Sequence, residues 1–217
     1  MEIKDSILKR ALQNVYFIWG RGKTTIANRL REKYGFYVYS TDDSRDWHMD
    51  NAIPEDQPYM CRDYESEYGV RMFWELPSEV IAEREVHFLK EFTPMVVTDL
   101  IALSRVHDVI ICEGDIDYSL IAPVATHSVF LLNRGKGIDF FNRSDHIDEL
   151  NYIRSRQDLS EEEKEAVIEN AYRAVSGDES NLPGWVTELD IHSISWDESI
   201  TVEDTVKDVE EYFEFDM

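Results

Sequence analysis

A short glycine-rich segment near the start of the chain, GRGKTT, contains the residue types that bind phosphate groups. Gly20 and Gly22 would let backbone N–H groups turn toward an anion, and the ammonium group of Lys23 would reach the β- and γ-phosphates of a nucleotide. Thr24 would place its hydroxyl on Mg²⁺. We therefore predict a nucleotide-binding segment here, made up of Gly20, Arg21, Gly22, Lys23, Thr24 and Thr25.

The segment departs from the phosphate-loop pattern G-x-x-x-x-G-K-[ST], because Phe17 occupies the position of the first glycine. If Val15–Ile18 forms a strand, the loop is roughly three residues shorter than the usual form. The flanking sequence favours phosphate binding, since an apolar strand precedes the glycines and an amphipathic helix follows them with the positive end of its dipole. The alternative is a plain glycine turn between a strand and a helix.

Carboxylates follow two further apolar runs of the chain. Asp42 and Asp43 come after FYVYS, and Glu113 ends the run DVIICE. In an open parallel sheet, ligands bind beyond the carboxyl ends of the strands, so these groups should face the glycine segment. We predict that Asp42 and Glu113 join Thr24 around Mg²⁺, and that Asp42 or Asp43 orients an acceptor hydroxyl and takes its proton.

These assignments have structural alternatives. The sequence TDD suits the first turn of a helix, where such residues cap backbone N–H groups. Acidic side chains after a strand are also common in so acidic a chain. We rank Asp42 first, Glu113 second and Asp115 third as functional carboxylates. Gly114, next to Glu113, would permit the close approach of a substrate to the backbone.

The elements that would position these groups alternate along the chain. Short runs rich in β-branched and aromatic residues predict strands, and apolar residues at helical spacing predict helices between them. Strands that are apolar on both faces and alternate with helices indicate a mainly parallel, doubly wound α/β sheet. The predicted strands are Val15–Trp19, Phe36–Ser40, Asp108–Gly114, His127–Asn133 and Asp190–Trp196. The predicted helices are Thr25–Tyr34, Pro77–Phe92, Thr93–Arg105, one that follows Ser160 and one that follows Thr201.

Size and charge limit the possible partners. A chain of 217 residues suits one α/β domain, which we predict to span residues 1–217. With 45 acidic and 22 basic residues, the net charge of −23 repels nucleic acid and anionic lipid, so we expect neither as a partner. No apolar run approaches the roughly 18 residues of a membrane-spanning helix. The N-terminal residues lack a secretory core, and Cys61 and Cys112 are far apart, so we expect a cytoplasmic protein with reduced, buried thiols.

Four features together resemble the small P-loop kinases, a group that includes nucleoside monophosphate kinases, shikimate kinase, gluconate kinase and chloramphenicol phosphotransferase. They are the phosphate segment, the Asp pair after the second strand, the EG sequence after the third, and an Arg-rich segment after the fourth. The resemblance covers nearly the whole chain as a topology. It implies a three-layer fold with a five-stranded parallel sheet in the order 2-3-1-4-5, Mg²⁺-ATP as phosphoryl donor, and an acceptor bound over the end of the third strand. The absent first glycine is the main departure.

The same resemblance assigns roles to two longer segments. Residues 44–105 would form an acceptor-binding insert, with His48 and Arg62 as polar contacts among aromatic side chains. The acidic residues of this insert would favour a neutral or cationic acceptor. Residues 134–158 would form a lid whose arginines close on the transferred phosphoryl group, with Arg134 and Arg143 ranked first and Arg154 next. The alternative for His48 is a packed structural histidine. The alternative for the lid arginines is a solvated helix on which they pair with nearby carboxylates.

These observations predict an ATP-dependent kinase that acts on a small hydroxyl- or phosphate-bearing molecule. ATP is favoured over GTP, because the chain has no guanine-reading N-K-x-D sequence. A nucleotide-binding regulator and a nucleoside triphosphatase are the alternatives, since the shortened loop supports nucleotide binding without transfer to an acceptor.

Overall fold

The structure, a computed structural model, describes residues 5–69, 75–133, 147–175, 184–197 and 199–215. Strands and helices alternate along these residues. The strands are β1 (Val15–Gly20), β2 (Tyr37–Ser40), β3 (Ile110–Glu113), β4 (His127–Asn133) and β5 (His192–Trp196). The helices are α1 (Asp5–Ala11), α2 (Lys23–Tyr34), α3 (Thr41–Asp50), α4 (Tyr64–Tyr68), α5 (Ser78–Leu103), α6 (Tyr118–Ile121), α7 (Ile147–Ser155), α8 (Glu161–Val175), α9 (Gly184–Glu188) and α10 (Val202–Phe213).

The strands form one parallel sheet in the order β2-β3-β1-β4-β5. This confirms the predicted sheet and its strand order. β1 lies at the centre, where Phe17 is opposite Cys112 of β3 and Ser128 of β4. A central strand must be apolar on both faces, and Val15, Phe17 and Ile18 are fully buried. The parallel direction brings the carboxyl ends of all the strands to one edge, where the candidate site lies.

Helices cover both faces of the sheet and complete three layers. On one face, Ile26 and Leu30 of α2 and Val209 of α10 pack on Ile18 of β1. On the other face, α5 packs its own buried side chains on Phe17. The predicted three-layer, doubly wound α/β fold is therefore confirmed.

The strand β1 extends further than predicted. It runs to Gly20, and Phe17 lies in its middle, fully buried. Because α2 begins at Lys23, only Arg21 and Gly22 connect the strand to the helix. The position of the missing first glycine is therefore part of the sheet, and the predicted loop is shorter than its sequence indicates.

Helix α5 corrects a second prediction. The sequence predicts two helices that meet near Pro94, but the structure has one helix, Ser78–Leu103, with Pro94 inside it. An internal proline costs about 3 kcal/mol, because it lacks an N–H and crowds the preceding turn. Phe88, Phe92, Val96 and Leu100 form a continuous buried stripe along the helix. Burial of each such side chain contributes about 1.5–3 kcal/mol, so the four together outweigh the cost of the proline.

Smaller features agree with the sequence. The helix predicted after Ser160 is α8, and Ser160 and Glu163 exchange capping hydrogen bonds at its start, with the Ser160 N–H donating to Glu163 Oε2 at 2.7 Å. The thiols of Cys61 and Cys112 are not bonded to each other. Cys112 is buried as predicted, whereas Cys61 is partly exposed, so the predicted burial of Cys61 is wrong. Among the described residues, no helix has the length and apolarity that a membrane crossing requires.

Candidate active site

The connection between β1 and α2 is held by its neighbours. The Arg21 N–H donates to the carbonyl of Leu131 in β4 at 3.2 Å. Gly20 has φ +87°, and a Cβ atom there would lie 2.2 Å from the same carbonyl oxygen. Gly22 also has a positive φ, +86°. The two glycines therefore make a tight turn against β4 instead of a long loop that wraps around an anion.

The N terminus of α2 supplies the remaining backbone donors. Gly22 is its N-cap residue and offers no side chain to cap it, while its carbonyl accepts from the Ile26 N–H at 3.1 Å. The first N–H groups of a helix have no acceptor within the helix, so those of Lys23, Thr24 and Thr25 are directed out of its end. Such an end binds anions because the donors and the helix dipole act together.

Trp196, the last residue of β5, closes one side of this turn. Its indole Nε1–H donates to the Arg21 carbonyl at 3.2 Å, and its ring carbon Cζ2 lies 3.4 Å from where a Cβ of Gly22 would be. No role was predicted for Trp196 from the sequence. The available signal was a large aromatic side chain at the end of a predicted strand, the edge where ligands of parallel sheets bind.

The side chains of Lys23 and Thr24 meet carboxylates from the end of β3. The Thr24 hydroxyl donates to Glu113 Oε2 at 2.8 Å, and Lys23 Nζ lies 3.6 Å from Asp115 Oδ1. Asp115 ranked behind Glu113 in the sequence analysis, and the structure brings both to the start of α2. Three groups predicted for phosphate and metal binding, Lys23, Thr24 and Glu113, are therefore neighbours.

Glu113 is a buried carboxylate that the protein leaves incompletely bonded. Its residue surface is 1% exposed, and Oε1 has no hydrogen-bond partner among the described residues. Burial raises the pKa of Glu113, while the nearby hydroxyls of Ser40 and Thr24 and the ammonium group of Lys23 act in the opposite direction. Nearby Asp42 raises this pKa further. A buried acceptor without a partner is unusual in folded proteins, so this oxygen is suited to an external ligand.

Asp42 and Asp43 lie in the first turn of α3, directly after β2. Desolvation raises the pKa of Asp42, and the nearby charges of Lys23 and Arg45 lower it. The Asp42 side chain is on the exposed rim of the site, so water screens these effects. The roles of Asp42 at Mg²⁺ and at the acceptor stay predictions. The role of Asp43, also exposed, stays a prediction.

The oxygen ligands in this site fit Mg²⁺. Thr24 offers a hydroxyl, and Glu113 and Asp42 offer carboxylates, which are hard ligands of the kind Mg²⁺ prefers. Within the described parts of the chain, no three His, Cys, Asp or Glu side chains are grouped so that they could hold a metal ion. Mg²⁺ sites of nucleotide enzymes commonly use one or two carboxylates and complete the shell with phosphates and water.

Gly114 lies very close to Thr41 at the start of α3. Its φ is +124°, and a Cβ atom there would lie 1.9 Å from Thr41 Oγ1. Thr41 is buried, and its hydroxyl donates to the Asp115 carbonyl at 3.4 Å. The close contact that Gly114 permits is therefore with the start of α3. A contact between Gly114 and a substrate stays a prediction.

His48 belongs to a buried polar cluster. Its Nε2 lies 3.1 Å from Asp99 Oδ2 and 3.3 Å from the Tyr39 hydroxyl, which itself donates to Asp99 at 2.8 Å. His48 is 1% exposed, so its described contacts lie within the protein. Arg62 likewise makes two bonds of 2.6 Å to the carboxylate of Glu67. Substrate contacts from His48 and Arg62 stay predictions.

The structure describes only part of the predicted lid. Arg134 and Arg143 lie outside the described residues. Arg154 is exposed near the end of α7. Arg156, a further member of the Arg-rich segment, pairs with Glu75 and with Asp158, and its side chain is only 9% exposed. Arg156 therefore connects the α7–α8 turn to the segment before α5.

Comparisons with known proteins give only distant structural matches. No protein-family model matches the chain, and no curated protein matches it. A solved structure of dephospho-CoA kinase from Campylobacter jejuni matches with a TM-score of 0.41 and 10% identity, covering 93% of this chain and 96% of that one. A solved structure of deoxyadenosine kinase from M. mycoides matches with a TM-score of 0.37 and 12% identity, covering 93% and 99%. Both TM-scores are below 0.5, so these matches carry no information about the site.

The sheet order and the first strand–helix connection define a class of fold. The sheet is parallel and ordered β2-β3-β1-β4-β5, and Gly22, Lys23 and Thr24 lie where β1 leads into the first turn of α2. This is the three-layer α/β fold, with the strand order, that the resemblance to small P-loop kinases implies.

Proposed function

We propose that the protein is a cytoplasmic, Mg²⁺-ATP-dependent phosphotransferase that acts on a small molecule bearing a hydroxyl or phosphate group. The observation that carries this proposal is the meeting of Lys23, Thr24 and the buried carboxylate of Glu113 at the N terminus of α2. A cation, a hydroxyl and an incompletely bonded carboxylate beside open helix donors are the groups that a magnesium–triphosphate ligand requires.

Each residue would have a distinct task. The first N–H groups of α2 and the Lys23 ammonium group bind the phosphates, and Arg21 adds positive charge at the turn. Thr24 and Glu113 hold Mg²⁺, with Asp42 at the rim. When bound, Mg²⁺ would neutralise charge on the phosphate oxygens.

The acceptor side of the proposal depends on the acidic pair of α3. Asp42 or Asp43 would orient the acceptor hydroxyl and receive its proton, because both lie at the carboxyl edge of the sheet on the side of β2. Arg134 and Arg143 would stabilise the transferred phosphoryl group.

A second candidate function is nucleotide binding without transfer. The specific observation in its favour is the two-residue connection between β1 and α2. The Arg21 N–H is already bonded to Leu131, and Trp196 covers Gly22, so fewer backbone donors surround an anion than in a long phosphate loop. The substitutions Asp42→Asn and Asp43→Asn distinguish the two functions, since nucleotide binding tolerates them and phosphoryl transfer does not. A third function, hydrolysis of the nucleotide, would release phosphate without any acceptor.

The direct test is the thermal stability of the protein with Mg²⁺-ATP, Mg²⁺-GTP and a non-hydrolysable ATP analogue. A ligand at about 100 times its dissociation constant adds roughly 2.7 kcal/mol to the free energy of unfolding. For a chain of this size that corresponds to a rise of about 5–10 °C in Tm. Lys23→Ala should abolish the rise and the turnover. Arg29→Ala, on the same helix but exposed and paired with Glu32, is the matched control and should keep both.

Three outcomes decide between the candidates. A rise that requires Mg²⁺ and disappears in Lys23→Ala supports nucleotide binding at the proposed site. Transfer of the γ-phosphate to an acceptor that is lost in Asp42→Asn or Asp43→Asn supports the kinase. The absence of a rise with any nucleotide, or normal turnover in Lys23→Ala, would refute the proposed site.

A further inference from the structure

The amine of Lys23 is already in contact with a carboxylate. Lys23 Nζ lies 3.6 Å from Asp115 Oδ1, and the Lys23 side chain is only 18% exposed. The charge of Lys23 also acts on Asp42 and Glu113, so three acidic groups lie near this one amine. A phosphate that binds Lys23 must therefore compete with a carboxylate that is already beside it.

The backbone of Asp115 is fixed at the start of α3. Its carbonyl accepts from the Thr41 hydroxyl at 3.4 Å, and the preceding residue, Gly114, packs against the same threonine. Thr41 is 1% exposed, so this attachment lies in the interior. The Asp115 side chain is 59% exposed, so its direction has to be set by other contacts.

A hydroxyl group from α6 contacts the Asp115 side chain. The Tyr118 O–H donates to Asp115 Oδ1 at 3.5 Å, and this is the same oxygen that lies beside Lys23. Hydrogen bonds to an ionised carboxylate are stronger than bonds between neutral groups. Tyr118 therefore favours the position of Asp115 in which one oxygen contacts both the hydroxyl and the amine.

Two tryptophans from other elements hold Tyr118 in place. Its ring is stacked on Trp185 of α9, with the ring centroids 4.0 Å apart and the planes 6° from parallel. The ring of Trp19, in β1, meets the Tyr118 ring in a T-shaped contact with the centroids 4.9 Å apart. Such aromatic pairs contribute stability beyond the area that they bury. The two contacts leave Tyr118 little freedom, so its hydroxyl stays directed to Asp115.

The contact between Lys23 and Asp115 is close but weak. Because the Asp115 side chain is more than half exposed, water screens its attraction to Lys23. An ion pair of this exposure changes an equilibrium by about fivefold at most. A polyphosphate carries several negative charges and a carboxylate carries one, so a polyphosphate can take the place of Asp115 at the amine. The contact is therefore strong enough to lower the affinity for anions and weak enough to exchange.

We propose that Asp115, held by Tyr118, is a positioning residue that occupies the Lys23 amine until a phosphate chain replaces it. The contact lowers the affinity of the site for single anions and keeps Lys23 in place for a ligand of higher charge. This inference rests on the proposed function, because it concerns the same lysine. Asp115 acts through Lys23 and has no direct contact with the nucleotide in this proposal.

The first test measures whether Asp115 occupies the amine. The intact protein is acetylated with acetic anhydride without any nucleotide, and the rate at Lys23 is followed by peptide mass spectrometry. Asp115→Asn should speed the acetylation of Lys23 about fivefold, and Tyr118→Phe, which keeps the ring but loses the hydroxyl, should speed it about twofold. Lys164, in contact with Glu161 on α8, is the internal control and should react at the same rate in every variant.

Asp117→Asn is the matched control variant. Asp117 lies two residues after Asp115 and caps α6 by accepting from the Ser119 N–H at 2.9 Å. Asparagine caps helices as well as aspartate does, so this variant loses the same charge near the site and keeps the helix cap. It should leave the acetylation of Lys23 unchanged, whereas a general effect of charge would alter the rate as much as Asp115→Asn does.

The second test measures exchange with a ligand. Calorimetry in EDTA should show that Asp115→Asn binds tripolyphosphate and ATP about fivefold more tightly than wild type does. Asp117→Asn should change either affinity by less than about twofold. Tripolyphosphate has no base or sugar, so its binding reports on the phosphate contacts alone.

The outcomes separate this inference from the proposed function. Faster acetylation and tighter binding in Asp115→Asn, both absent in Asp117→Asn, support the inference. Equal effects of the two substitutions, no effect of either, or faster acetylation with unchanged affinity overturn it. If no variant binds ATP or tripolyphosphate, with or without Mg²⁺, the proposed function is refuted and the exchange is refuted with it. The acetylation rates then still decide whether Asp115 occupies Lys23.

Discussion

Replacing Gly20 with alanine tests the geometry on which the candidate site depends. Gly20 ends the central strand, has φ +87°, and passes so close to β4 that a Cβ atom would lie 2.2 Å from the Leu131 carbonyl oxygen. That oxygen is backbone in the middle of the sheet and accepts the Arg21 N–H. It cannot move aside as a flexible side chain would, so the substitution must separate β1 from β4 or displace the turn.

The expected loss of stability has three parts. A left-handed backbone conformation costs an alanine about 1–2 kcal/mol relative to glycine. Forcing extra volume into a packed region costs about 1–3 kcal/mol. Loss of the hydrogen bond from Arg21 to Leu131 removes about 1 kcal/mol. Together these give roughly 4 kcal/mol, or a fall of about 10 °C in Tm for a chain of this size.

The matched control is Gly35→Ala. Gly35 ends α2 with φ +73°, but nothing lies within 4 Å of the position of its Cβ, so only the backbone cost of about 1–2 kcal/mol applies. The assay is urea unfolding of both variants at one temperature, with thermal melts alongside. Gly20→Ala should lose about two to four times as much free energy of unfolding as Gly35→Ala. Equal losses in the two variants would show that β1 does not approach β4 closely at Gly20, and the described turn would be incorrect.

Three further predictions concern the site and its surroundings. Thr24→Val should weaken ATP binding about tenfold in the presence of Mg²⁺ and leave it unchanged in EDTA, because a polar contact to a charged group contributes about 1.5 kcal/mol. Calorimetry in both buffers would show an equal effect if the hydroxyl does not contact the metal. Burial raises the pKa of Glu113 in the folded protein, so the stability that its protonated form contributes should be lost as pH rises above the ordinary value of 4.5. Glu113→Gln should reduce this dependence of stability on pH and be at least as stable as wild type near neutral pH. A variant that is less stable than wild type in urea titrations at neutral pH would contradict this. Arg156→Ala should lower Tm more than Arg29→Ala does, since it breaks a largely buried ion pair, and it should leave the affinity for Mg²⁺-ATP unchanged. A loss of affinity would show that Arg156 acts in the predicted lid.

The sequence predicted the sheet well because parallel strands that are buried on both faces leave a clear pattern. The run His127–Asn133 was predicted with its observed bounds, and the other strands differ from their predictions by one or two residues at the ends. The single helix through Pro94 was missed, because a local rule about proline cannot weigh a stripe of side chains that becomes buried only in the complete fold.

The candidate site was predictable where its residues are adjacent to a strand end. Lys23, Thr24 and Glu113 follow this rule, and the structure brings them together. Contacts that depend on two distant elements were not predictable. Trp196 reaches the turn after β1 from the far end of the chain. Spacing along the sequence contains no information about such meetings.

The two-residue connection between β1 and α2 has a thermodynamic consequence. Arg21 is bonded through both its N–H and its carbonyl, to Leu131 and Trp196, and the flanking glycines are fixed by the strand and the helix. The connection therefore has little conformational entropy left to lose when an anion binds. A longer glycine-rich loop would have to become ordered first, at a cost to affinity. This molecule offers fewer donors, but it holds them already in place, so the few contacts it makes are gained almost without an ordering penalty.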